Sequence, residues 1–94
     1  MASLDNKIAI VTGAGGGIGG AIAQHFARHG ASLAIADIDA EAATSRAAKI
    51  TARHGEAMPI IADVTKKTSV QQMVQSALDR WGRIDILVNV AGGA

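Results

Sequence analysis

Six of the nine residues from Thr12 to Gly20 are glycine, and the run begins directly after Ile8-Ala9-Ile10-Val11. Glycine gives up more backbone entropy on folding than any other residue and weakens helices and strands from within. The stretch does not suit the interior of either element. It reads as a turn that needs positive φ or admits something very close to the backbone.

The segments on either side set the fold. Lys7–Thr12 is a short apolar run rich in Ile and Val, which predicts a strand buried on both faces. From Ile18 to His29 the period changes: Ile18, Ile22 and Phe26 mark one stripe of a helix, and Gly30 supplies its stop. Ser32–Asp37 is a second strand, ending on an acid. Ala40 to His54 predicts a helix with Ala43, Ala47 and Ile50 inward, closed by Gly55. Met58–Ala62 is a third strand, and Pro59 within it cannot donate a ladder hydrogen bond, which places this strand at a sheet edge. Thr68-Ser69-Val70-Gln71 fits a capping box with Thr68 at the N-cap. It opens a helix carrying Val70, Val74, Ala77, Leu78 and Trp81, which stops at Gly82. Ile84–Val90 is a fourth strand.

This pattern, β-α-β-α-β-α-β, predicts an α/β fold with parallel crossovers. Right-handed crossovers and the edge proline give strand order 3-2-1-4, an incomplete Rossmann-like doubly wound parallel sheet. Residues 1–94 read as the N-terminal part of a single domain, interrupted after the fourth strand. A net charge of +1 with both signs interspersed argues against a nucleic-acid surface. No cysteine is present, so disulfides and thiolate metal sites are excluded. No run is long enough to span a membrane and no signal pattern opens the chain, so the expectation is a cytoplasmic protein with no membrane partner.

In this topology the first strand-to-helix turn binds anions, because the unpaired N–H groups and the dipole of the helix both point there. Two glycine registers compete. Gly15-x-Gly17-x-x-Gly20 is a literal G-x-G-x-x-G. Gly13-x-x-x-Gly17-x-Gly19 begins one residue after the strand, where such a turn should start, and is the preferred reading.

"TGAGGGIG" at Thr12–Gly19 resembles the Thr-Gly-x-x-x-Gly-x-Gly fingerprint of the short-chain dehydrogenase/reductase family. "GRIDILVNVAG" at Gly82–Gly92 resembles the same family's fourth-strand signature, with Val90 in place of a second asparagine. The resemblance implies an oxidoreductase that passes hydride between a hydroxyl or carbonyl substrate and a nicotinamide cofactor. It places Gly13, Gly16, Gly17, Ile18 and Gly19 at the pyrophosphate, and Asn89, Ala91 and Gly92 beside the cofactor. Asn89 is equally suited to tying strands together. Asp63-Val64 is similar to the family's adenine-contacting pair, although an aspartate there can also serve its own turn.

Asp37 selects among cofactors. A carboxylate at the end of the second strand accepts hydrogen bonds from both ribose hydroxyls and repels a 2′-phosphate. A charge-assisted bond lost and a repulsion gained separate NAD from NADP by roughly a hundredfold. The family's NADP users carry a basic residue in the glycine loop or after the second strand; here those places hold Gly16 and Ile38. The expected cofactor is NAD. Capping of the next helix falls to Asp39.

Other constellations carry no site. His25 and His29 stand four apart without a third ligand, so no metal is expected. Met58 and Met73 read as core filler. The family's catalytic Ser and Tyr-x-x-x-Lys lie beyond the fourth strand, and this sequence contains no tyrosine. No catalytic residue is therefore assigned, and the 94 residues alone are expected to be inactive. The complete protein is expected to take a small-molecule substrate and to be a homo-oligomer. The alternative is a non-catalytic nucleotide-binding or sheet-pairing module. Either way, one helix alone should cover one face of the sheet, leaving apolar surface and an open fourth-strand edge.

Overall fold

The computed structural model describes residues 3–53 and 55–90. Seven elements alternate: β1 (Ile8–Thr12), α1 (Gly17–Arg28), β2 (Ser32–Asp37), α2 (Ala40–Arg53), β3 (Ala57–Ile61), α3 (Lys67–Trp81) and β4 (Ile86–Asn89). The strands are parallel in the order β3-β2-β1-β4, as the edge proline and the crossover rule require. Leu33 N–H donates to Glu56 O and Ala62 N–H to Asp37 O. The even-numbered residues of β3 therefore bond to β2, and Pro59 turns its missing donor to the free edge.

Helix ends follow local chemistry. Gly30, at φ +99°, ends α1 in a Schellman arrangement, with Gly30 N–H on Ala27 O and Ala31 N–H on Phe26 O. Gly82, at φ +81°, ends α3 and donates to Leu78 O. Asp39 caps α2, its Oδ1 accepting from Ala42 N–H at 3.1 Å.

Three expectations are corrected. The helix α3 begins at Lys67, with Lys66 at its N-cap and no side-chain cap bond, so Thr68 lies inside the first turn. The capping box fails because the preceding loop has its own organisation: Ser69 Oγ accepts from Asp63 N–H at 2.8 Å, and Lys66 N–H donates to Asp63 O. Second, Ile18 is 73% exposed and is not part of the buried stripe of α1. That helix buries Gly19, Gly20, Ala23 and Ala27, small residues that let it approach the sheet closely, while Ile22 and Phe26 pack at the margin. Third, β4 is shorter than the apolar run that predicts it, pairing only from Ile86 to Asn89 with β1.

The side chains divide by strand parity. Ala9, Val11, Leu33 and Ile35 meet Ala23 and Ala27 of α1 and Ala43, Ala47 and Ile50 of α2. On the other face, Ile10, Ala34 and Ala36 meet Met73 and Ala77 of α3. Leu87 pairs in register with Ile10 and so faces the α3 side, where it is 58% exposed. The under-covered face is thus present among the described residues.

Carboxylates tie the lower edge of the sheet. Asp85 Oδ2 accepts from Ile8 N–H at 2.8 Å and from Arg83 Nε at 3.0 Å, while its own N–H donates to Ile8 O. The Ile8 N–H, then Arg83, hold its carboxyl below the usual range. Glu56 pairs with Arg80 at 2.9 Å, and that bond lowers its pKa. Arg80 also lies 5.4 Å from the ring centre of Trp81.

Candidate functional site

All four strands end at one edge of the sheet, and the first three of the segments that follow them bring together the groups singled out in the sequence. After β1, Gly13 takes φ +66° and its carbonyl accepts from Gly16 N–H at 3.2 Å. Gly16 is the N-cap of α1 and has no side chain to offer the helix. The first N–H of the helix to find an acceptor is that of Gly20, on Gly16 O. Those of Gly17, Ile18 and Gly19 have no partner among the described residues. Three donors and the positive end of a twelve-residue helix therefore converge on the turn.

The glycines differ in what holds them. A Cβ on Gly19 would lie 2.3 Å from Gly13 O and 2.7 Å from Gly13 C, against backbone. One on Gly15 would lie 2.6 Å from Ala42 Cβ, where α2 begins. At Gly17 a Cβ would meet nothing within 4 Å. Folding thus demands glycine at 15 and 19, whereas the space beside Gly17 is left open. Gly13 at positive φ and Gly19 against its carbonyl belong to the Gly13-x-x-x-Gly17-x-Gly19 register.

Asp37 ends β2 beside this turn. Its Oδ2 accepts from Gly15 N–H and its Oδ1 from Asp39 N–H, each at 3.0 Å. The carboxylate therefore ties the first turn to the second and presents its remaining lone pairs at the sheet edge. Ile38 beside it is 66% exposed. After β3, Asp63 Oδ1 accepts from Thr65 Oγ1 at 2.6 Å and Thr65 N–H at 3.0 Å, which lowers its pKa in that order of importance. Asp63 thus organises its own turn, and Val64 next to it is half-buried. Asn89 Oδ1 accepts from Thr12 Oγ1 at 2.8 Å, and Thr12 Oγ1 accepts from Val90 N–H at 3.1 Å. That makes Asn89 a tie between β1 and β4 at the same edge. Ala91 and Gly92 lie outside the described residues.

Two contributors escape sequence reasoning. Gly15 donates to Asp37, and nothing local signals that bond across 22 positions. Thr12, 2% exposed, anchors the end of β4 through its hydroxyl; its place directly before the glycines was the available signal. On α1 the rings of His25 and His29 lie 4.4 Å apart, with His29 Nδ1 2.8 Å from His25 O. No group of three or more metal-ligating side chains occurs among the described residues, nor is any helix among them long and apolar enough to cross a membrane.

The family model for short chain dehydrogenase matches residues 7–94. The chain belongs to the short chain dehydrogenase family. It is 52% identical over 89 residues to a sorbitol dehydrogenase from Cereibacter sphaeroides, covering 94% of this chain and 33% of that protein. The fold superposes on a 7α-hydroxysteroid dehydrogenase complexed with NADH and 7-oxo glycochenodeoxycholic acid, with a TM-score of 0.93 and 43% identity, over 96% of this chain and 35% of the other. A family member from Burkholderia phymatum in complex with NAD gives 0.87 at 33% identity, over 93% and 31%. The chain spans about a third of the length of the curated relatives it matches.

Proposed function

We propose that these 94 residues are the NAD-binding part of a dehydrogenase that exchanges hydride between a small hydroxyl or carbonyl substrate and nicotinamide. One observation carries the cofactor choice: the Asp37 carboxylate, fixed by Gly15 and Asp39, stands beside the glycine turn with uncharged Ile38 next to it. The residues fit a dinucleotide. Free N–H groups of Gly17, Ile18 and Gly19 suit a pyrophosphate, and the open space at Gly17 leaves it room. Asp37 accepts the ribose hydroxyls without giving up its bonds to Gly15 and Asp39, since each carboxylate oxygen has a second lone pair. Exposed Ile38 and half-buried Val64 offer apolar contact to an adenine, and the free Oδ2 of Asp63 accepts from its amine. NAD, when bound, supplies the carbon that takes up or releases hydride.

With no tyrosine in the sequence, the family's acid–base group is not among these residues, so the 94-residue chain is expected to show no turnover. Turnover of an alcohol above a heat-inactivated control would overturn that part. The decisive experiment is calorimetric titration with NAD and with NADP. NAD should bind roughly a hundredfold more tightly, and Asp37→Ala should remove most of the difference. Equal affinity of the unaltered chain for both, or a preference for NADP, would refute the assignment.

A further inference from the structure

A cavity of about 140 Å³ lies between α1 and α2, lined by Gln24, Arg28, Lys49, Ile50 and Arg53. Its apolar wall is Ile50, 1% exposed; the other lining groups are three cations and an amide. No carboxylate lines it, and none of the three cations is in an ion pair among the described residues, where the salt bridges are Arg80–Glu56 and Arg83–Asp85. A third of the chain's nine basic side chains thus surround one small space in a molecule of net charge +1. Arg28 and Arg53 end their helices, where the dipole favours cations. That accounts for their positions but not for Lys49 joining them around the same unneutralised cavity. Gln24 and Arg28 stand seven and eleven residues beyond Gly17, about 10–16 Å down the axis of α1, so this is not the glycine turn.

We propose that the cleft binds a single phosphate-type oxyanion, as inorganic phosphate or as the monoester group of a small metabolite. Guanidinium and ammonium groups are the side chains that recognise tetrahedral oxyanions, and the amide of Gln24 adds a neutral donor to the three exposed cations. The volume suits one such group and is below the 300 Å³ or more of typical sites for larger ligands.

The test follows residue-resolved NMR of the isotopically labelled 94-residue chain during titration with inorganic phosphate, then with glycerol phosphate. Saturable shifts at Gln24, Lys49, Ile50 and Arg53, with millimolar affinity, are expected. Lys49→Gln and Arg53→Gln together should weaken binding about tenfold while shifts at Gly15–Gly19 persist. Tighter binding of glycerol phosphate would point to a monoester, and equal binding to the free ion. Shifts confined to Gly15–Gly19, or cleft shifts reproduced by sodium chloride at matched ionic strength, would overturn the proposal. Thermal unfolding of both single variants checks that folding is retained, because either one alone should still weaken the cleft.

Discussion

The turns after β1 and β2 are built from opposite materials, although each leads from a parallel strand into a helix. The β2–α2 turn is closed by its own side chains: Asp37 accepts from Asp39 N–H, and Asp39 accepts from Ala42 N–H. The β1–α1 turn has no side chain of its own to close it and borrows Asp37 for Gly15 N–H. Its N-cap is Gly16, and three N–H groups of its helix have no partner among the described residues. One helix start gains a side-chain cap on folding, and the other does not. The β3–α3 turn is tied together by Asp63, Thr65 and Ser69, but none of these bonds caps α3, whose first N–H to find an acceptor is that of Val70, on Lys66 O. Open N–H groups alone therefore do not set the β1–α1 turn apart, since α3 begins the same way; what does is the glycine backbone that leaves the space beside Gly17 clear.

The comparison breaks most severely at Gly19. Gly19→Ala would drive a Cβ into Gly13 backbone that cannot turn aside, and a loss of about 3 kcal/mol or more is expected. Chemical denaturation measures it; a loss below about 1 kcal/mol would show that the turn yields. Asp39→Ala should cost about 1 kcal/mol of stability without altering NAD affinity, since it belongs to the closed turn. A matching loss of NAD binding would join the two turns into one functional unit. Gly17→Ala sharpens the contrast in the other direction. With nothing within 4 Å, it should leave the chain as stable, or stabilise it by about 0.5–1 kcal/mol, while weakening NAD. Unchanged NAD affinity would remove the ligand from the space at Gly17.

The smallest effect is far from both turns. Asp85 has a folded-state pKa below its unfolded value, so its contribution is present above about pH 4 and is lost as pH falls through the depressed folded value. Asp85→Asn should therefore flatten the acid side of the stability profile and leave cofactor discrimination unchanged. Unaltered acid sensitivity would assign that stability to other carboxylates, such as Glu56.

Element types and strand order were legible because each rests on a periodicity or on a backbone requirement carried by the residues themselves. Pro59 marked an edge, Gly30 and Gly82 marked helix ends, and Ala43, Ala47 and Ile50 marked a buried face. The stripe through Ile18 misled because apolar spacing records what a helix could bury. The sheet accepted only small residues on the near side of α1, and Ile18 falls on the exposed first turn. Thr68 misled for a related reason, since a capping signal competes with whatever the preceding loop bonds to, and Asp63 had claimed Ser69.

The sequence alone therefore determined the alternation of strands and helices, the place of the glycine turn and the acid that ends β2, since each depends on neighbours within a few residues. Tertiary structure alone decided that Asp37 would hold Gly15, that Thr12 would anchor Asn89, and that Gly15 must be glycine to clear Ala42. Those contacts join residues 22, 77 and 27 positions apart, and no local propensity encodes a distance that only the packed sheet and helices create.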